Sequence, residues 1–464
     1  MSVTKDEIKF VKSATVTDTG SNGGPAGYVL IVNRQKYGLF PRVTRPKRIF
    51  GGILYRKLFF WNRNTGGETA SSVLVYILRP SPAGDRFYLA KGTQTDVQSD
   101  IDSGYNWAGG GLLNSAITAN DQQVSILFES NDFYIDNDQV IVINNHFLTN
   151  QTIDANVKAF ESVYFNGGNW IRQTAPTADE EDVYPYGTFM GSGKVFSYNQ
   201  NGNIEYVKSQ NLSYTGEIVG SGNGSTTQYS HNTAHTLVKQ ATVQIKYTIA
   251  SVQYTATANP SGTITGTHLS SGSVSNAGAI SLTFDTAPDN STNITVDYTE
   301  QSWSWSGNVL TVKTQEAVAN NYATSNTYCA VALNVGDILT SADSKAVTGS
   351  GTFDLTKVTL DNNGTIEETW TCTFTSSTNF TCAGTVSGSV GSGNINSAFT
   401  PINPNVATKY FNIPSNAWGG SWQTGNTAQF KTHPAKAPLW LKEVVPAGTA
   451  AYSDNGISIE LYVE

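Results

Sequence analysis

Residues whose type and spacing could do chemistry are few in this chain. It has five histidines, His146, His231, His235, His268 and His433. His231 and His235 stand four apart, a spacing that on a helix offers two imidazoles to one zinc ion. Their setting, Ser230-His231-Asn232-Thr233-Ala234-His235, is poor in helix formers and lacks the glutamate of a His-Glu-x-x-His site. Solvent-exposed loop histidines are therefore expected, and His146, after Ile143-Asn144-Asn145, reads as a strand-end residue. Gly191-Ser192-Gly193-Lys194 has the outline of a phosphate loop, but Val195 stands where that motif needs Ser or Thr, so a turn is expected. No Gly-x-Ser-x-Gly elbow occurs, which leaves a serine hydrolase without its nucleophile.

Carboxylates cluster twice. Asp136 and Asp138, close to Asp132, could ligate calcium from a loop, but the glycine and closing glutamate of an EF-hand are missing. Asp179-Glu180-Glu181-Asp182 follows Thr174-Ala175-Pro176-Thr177-Ala178 and reads as a charged loop. Nothing singles out a carboxylate pair for glycan cleavage. No catalytic, cofactor or metal residue is assigned, and the chain is expected to be non-enzymatic.

One charge pattern stands out. No acidic residue lies between Asp18 and Glu68, yet Arg34, Lys36, Arg42, Arg45, Lys47, Arg48, Arg56, Lys57 and Arg63 all do, nine of the chain's 28 basic residues. Two readings carry equal weight: a basic edge of one domain, or a docking surface for an acidic neighbour, since complementary charge steers and registers assembly. Nucleic acid is the weaker third reading, because the whole chain carries a net charge of −8.

The elements that must position these groups are strands. Charged residues are only 14 % of the chain, against roughly 25 % in an ordinary globular protein, while Gly, Tyr, Phe and Trp are plentiful. That composition suits short strands and tight turns, so the fold class expected is all-β, built of several β-sandwich domains. No run of about 18 apolar residues offers a membrane span. The charged start Met1-Ser2-Val3-Thr4-Lys5-Asp6-Glu7 is unlike a secretory leader, so folding in a cytoplasm is expected. Seven Asn-x-Ser/Thr sites (Asn150, Asn211, Asn223, Asn290, Asn293, Asn363 and Asn379) then read as by-products of composition. The three cysteines, Cys329, Cys372 and Cys382, read as buried thiols, although Cys372 and Cys382 bracket a hairpin that could bring them close.

Texture divides the chain. Residues 1–204 hold apolar, aromatic strand candidates such as Gly27–Val32, Ile53–Trp61, Ser72–Leu78, Val124–Phe128 and Val140–Ile143, with a helix expected near Asp96–Tyr105. Residues 205–302 lose charge and alternate cleanly, as at Val243, Ile245, Tyr247, Ile249 and at Ile294, Val296, Tyr298, which predicts an inserted immunoglobulin-like sandwich. Residues 303–395 are expected to form a second small β-module. From 396 to 464 aromatic segments return, which predicts a discontinuous main body completed by the C-terminal stretch.

The segment from Gly262-Thr263-Ile264-Thr265-Gly266 through Leu269–Phe284 to Ile294-Thr295-Val296-Asp297-Tyr298 resembles the small β-modules of tailed-bacteriophage virion proteins. The flanking Leu54–Asn62 and Pro438–Gly448 resemble structural proteins encoded among the morphogenesis genes of such phages. The resemblance implies a structural subunit of the particle, expected at the head–tail neck or collar or in the tail, bound to other virion proteins and to copies of itself in a symmetric ring. A baseplate or capsid-surface decoration protein is the nearest alternative. The rival class is a carbohydrate-binding adhesin or depolymerase, with Trp303, Trp305, Trp418 and Trp422 as stacking platforms.

Overall fold

Apolar alternation bounded by Gly, Asn and Asp produces strands almost everywhere: 53 % of the chain is strand and 5 % helix, which makes the fold all-β. The computed structural model describes residues 3–32, 37–81, 84–102, 104–131, 133, 135, 136, 139–145, 147–152, 162–166, 169–173, 194–198, 202–449 and 457–463. They fall into two compact units, residues 1–109, 153–193 and 333–464 in the first, residues 110–152 and 194–332 in the second.

The first unit centres on a five-stranded sheet in the order Gly23–Leu30, Ile8–Thr15, Gly52–Asn62, Lys436–Val445, Arg86–Lys91. Its longest pairing joins Gly52–Asn62 to Lys436–Val445, from Gly52 opposite Val445 to Trp61 opposite Lys436. From Arg56 onward both faces of Gly52–Asn62 are buried, which is why its sequence runs apolar instead of alternating. A three-stranded sheet, Leu333–Ile338, Ala70–Arg79, Ser458–Tyr462, belongs to the same unit, and the Asn62 side-chain amide donates to the Ile338 carbonyl at 2.9 Å.

Also in the first unit, residues 341–433 fold around their own core. Their main sheet runs Ser341–Val347, Thr427–His433, Glu368–Phe374, Asn379–Gly384, Gly388–Asn394. Trp370, Phe374, Phe380, Phe411, Trp422 and Phe430 pack beneath it. This places the second module at 341–433 rather than 303–395. The aromatic stretch Tyr410–Phe430, expected to rejoin the main body, is the module's own core; among the described residues after it, Lys436–Val445 and Ser458–Tyr462 return to the body's sheets.

The second unit holds a seven-stranded sheet in the order Ile204–Lys208, Val140–Asn144, Tyr328–Val331, Gly110–Leu113, Gln123–Leu127, Val309–Lys313, Trp303–Ser306. Residues 303–331 therefore pair with strands of the first 204 residues. The 1–204 body is itself divided, because Gly110–Leu113 and Gln123–Leu127 pair with each other and then with the distant Tyr328–Val331 and Val309–Lys313, and Val140–Asn144 pairs with Tyr328–Val331.

Between these strands the chain makes a two-sheet sandwich. One sheet runs Leu212–Ser221, Asn293–Glu300, Gln244–Ile249, Val252–Ala258, Ile264–Thr265, and the other runs Gln228–Asn232, Ala279–Phe284, Leu269–Val274. The inward residues of the alternation (Val243, Ile245, Tyr247, Ile280, Leu282, Phe284, Ile294, Val296, Tyr298) form one core. Gly278 closes the Asn276-Ala277-Gly278 turn at φ +85°, where a Cβ would stand 1.9 Å from Thr233 Oγ1, so only glycine fits.

Candidate functional site

The basic segment begins in a loop and enters the α-helix Arg45–Phe50, the sole α-helix among the described residues. Pro46 in its first turn and Gly51 at its end, with φ 78°, delimit it. None of its six residues is buried. The helix is tied down through backbone instead: the Arg48 carbonyl accepts from Gly448 N–H at 2.8 Å and from Thr449 N–H at 3.1 Å. Arg42 and Arg45 are exposed, and Lys47 and Arg48 are half-exposed. Apolar side chains lie open beside them: Phe50 is 81 % exposed, Ile53 54 % and Ile49 49 %.

The other basic residues are used inside the first unit. Arg56 is buried and binds outward-lying chain with its guanidinium: Nε donates to Leu39 O, Nη1 to Thr17 O and Tyr55 O, and Nη2 pairs with Asp18 at 2.5 Å. Lys57 is fully buried, its ammonium donating to Gly24 O and Asp96 O and pairing with Asp96 Oδ1 at 2.6 Å. Asp96 also accepts from Tyr105 OH and, at 2.7 Å, from Trp440 Nε1. Burial works against the Asp96 carboxylate, but its hydrogen bonds from Lys57, Tyr105 and Trp440 prevail and hold it below the usual range. The expected helix near Asp96–Tyr105 is reduced to the 3₁₀ turn Gln98–Asp100, where Gln98 N–H donates to Asn22 O at 2.7 Å and Ser99 N–H to Gly20 O at 2.9 Å. Arg63 lies over Trp61, 4.7 Å from its ring, and donates to Asn363 Oδ1 at 2.9 Å.

The docking surface read from the nine basic residues thus contracts. Arg56 and Lys57 are structural ions, Arg63 braces the 341–433 module, and Arg34 and Lys36 lie outside the described residues. Arg42, Arg45 and Arg48 remain, with Lys47 at the edge, its ammonium 3.9 Å from Asp18; Ile49, Phe50 and Ile53 are exposed in the same segment. Sequence reasoning assigned Ile49 and Phe50 to no element and took Ile53 as the first residue of the strand Ile53–Trp61. The available signal was Thr44-Arg45-Pro46 ahead of Gly51-Gly52, a start and a stop that set Ile49 and Phe50 apart from the strand that follows. It also passed over Lys57 and Arg56 as ion-pair members. Two cations inside a run as apolar as Leu54–Trp61 had to be buried and paired.

The remaining sequence candidates do not converge. His231 bonds Glu217 at 2.7 Å, while His235 stacks on Tyr214 with centroids 3.8 Å apart. Asp136 pairs with Lys239; His146, Asp132, Asp138 and the run 179–182 lie outside the described residues. Lys194 opens the strand Lys194–Tyr198, where a phosphate loop needs a helix. No group of three His, Cys, Asp or Glu among the described residues is placed to hold a metal ion. Trp422 is 3 % exposed and stacks on Phe374 at 4.0 Å; Trp418 is half-buried and packs on Phe353 at 4.7 Å. Trp303 and Trp305 are half-buried, with Trp305 5.6 Å from Phe128. A cleft of about 200 Å³ lined by Lys345, Asp354, Asn416 and Trp418 is small beside ordinary ligand sites. No helix among the described residues is long and apolar enough to cross a membrane. No family model matches the chain, and neither a curated protein nor a solved structure matches it.

Proposed function

We propose that the chain is a non-enzymatic structural subunit of a tailed-phage particle, at the neck or collar or in the tail, joined to copies of itself and to other virion proteins. The observation that carries this reading is the surface-lying segment Arg42–Ile53, where Arg42, Arg45, Lys47 and Arg48 directly precede the exposed Ile49, Phe50 and Ile53. Exposed apolar groups rimmed by charge mark protein-binding surfaces. Positive charge gives this one an acidic partner, and a ring neighbour of net charge −8 has acid to offer. The segment whose residues resemble phage β-modules supplies strands of a sandwich with its own core, which suits a projecting or bracing domain. Assembly into a closed ring gives each copy the same two contacts.

The test is mass spectrometry of purified particles of the phage that encodes the chain. Stoichiometric presence alongside tail and neck proteins supports the reading. Its absence from complete, infectious particles contradicts it.

A further inference from the structure

Cys372 and Cys382 are both fully buried in the core of the 341–433 module. They lie on neighbouring strands, Glu368–Phe374 and Asn379–Gly384, directly opposite each other. Their sulfurs stand 3.0 Å apart as free thiols. The ladder on either side fixes the kind of pair. Thr375 N–H donates to Asn379 O and Thr385 N–H to Thr369 O, so the hydrogen-bonded pairs are 375 with 379 and 369 with 385. Counting inward in steps of two, 373 with 381 and 371 with 383 belong to the same set. Cys372 and Cys382 therefore form a non-hydrogen-bonded pair, the class whose Cα atoms approach to about 4.5 Å with side chains closest. That separation lies inside the range a disulfide spans, roughly 4.4–6.8 Å, so the strand pairing is compatible with closure.

We propose that Cys372 and Cys382 are a disulfide site, closed across the hairpin by a low-molecular-weight disulfide oxidant when the protein folds in, or passes into, an oxidising medium. One thiolate attacks the oxidant's sulfur and expels one thiol, giving a mixed disulfide. The second thiolate displaces the other thiol and forms the Cys372–Cys382 bond. The two cysteines lose two protons and two electrons, and the oxidant is reduced to two thiols. Burial holds the Cys372 thiol well above its ordinary range, so the folded hairpin reacts slowly and closure accompanies folding or opening of the module. Cys329, buried in the second unit on Tyr328–Val331, is not part of the site. The inference does not rest on the phage reading.

The experiment is oxidative refolding of the full chain from guanidinium in a mixture of reduced and oxidised glutathione, followed by denaturation with N-ethylmaleimide and mass spectrometry. One adduct, on Cys329, is expected. The tryptic peptide 358–409, which contains both other cysteines and no internal Lys or Arg, should be lighter by two hydrogens than after reduction. Cys329→Ser should carry no adduct, and Cys372→Ser should carry two or hold glutathione on Cys382. Three adducts on the refolded wild type, a glutathione adduct left on the 358–409 peptide, or a bond from Cys329 to either partner would overturn the proposal. A refolded protein with native fluorescence is required in each arm. If the wild type fails to refold, the same count on chain expressed in an oxidising compartment decides the matter.

Discussion

Glu443→Gln is expected to abolish a pH dependence built into the main sheet of the first unit. Glu443 lies on Lys436–Val445, flanked on one side by Leu54 and on the other by Phe87. It is 2 % exposed, and its Oε2 meets no hydrogen-bond donor among the described residues. Burial, and then the nearby Asp85 carboxylate, raise its pKa to about 7, against weaker opposite pulls from Lys47 and Arg56. Once unfolded, the same carboxyl titrates near 4.5. Between those values the folded protein holds a proton that the unfolded chain has released. Stability is therefore fully retained below about pH 4.5, falls as pH rises through the window and levels off above about 7. At about 1.4 kcal/mol per pKa unit, the full loss is about 3 kcal/mol. Glutamine keeps the shape and cannot ionise. Urea unfolding followed by tryptophan fluorescence from pH 4.5 to 8 should show the wild type losing about 3 kcal/mol more than the variant. Parallel curves for the two proteins would refute the reasoning.

Other substitutions separate structural from docking charge. Lys57→Met strands the Asp96 carboxylate in the core and should cost about 3–5 kcal/mol in urea unfolding, an effect that an unchanged midpoint would rule out. Lys436 is 3 % exposed, lies 4.0 Å over Trp61, and burial lowers its pKa to about 8. Lys436→Met should therefore raise the melting temperature at pH 7, and a lower one would show that the contact with the ring outweighs desolvation. Trp370→Ala empties the centre of the 341–433 module and should cost about 3–5 kcal/mol by the same assay. Phe50→Asp combined with Arg45→Glu should leave stability within about 0.5 kcal/mol while abolishing self-association in sedimentation; unaltered association would remove the segment from the interface.

The sandwich was legible because each of its strands buries one face only. The alternation at Val243–Ile249 and Ile294–Tyr298 is visible without knowing any partner. The boundaries elsewhere were not, because they depend on long-range pairing. Trp303–Ser306 and Val309–Lys313 look like the start of a new module, yet Val309–Lys313 adds to Gln123–Leu127 from far upstream. Likewise the aromatic texture of Tyr410–Phe430 resembles the main body but packs on Trp370. Texture reports burial and not the core in which a residue is buried. The basic segment was legible as charge alone. Its division into buried ions at Arg56 and Lys57 and exposed ones at Arg42 and Arg45 required the partners Asp18 and Asp96, 38 and 39 residues away from Arg56 and Lys57.

Cryo-electron microscopy of the intact particle tests most directly the proposal that this chain is a built-in part of a tailed phage. Ordered copies are expected in a ring at the neck or tail, with Arg42, Arg45 and Phe50 against an acidic face of a neighbouring subunit. A complete particle map in which every density is assigned to other chains would contradict it.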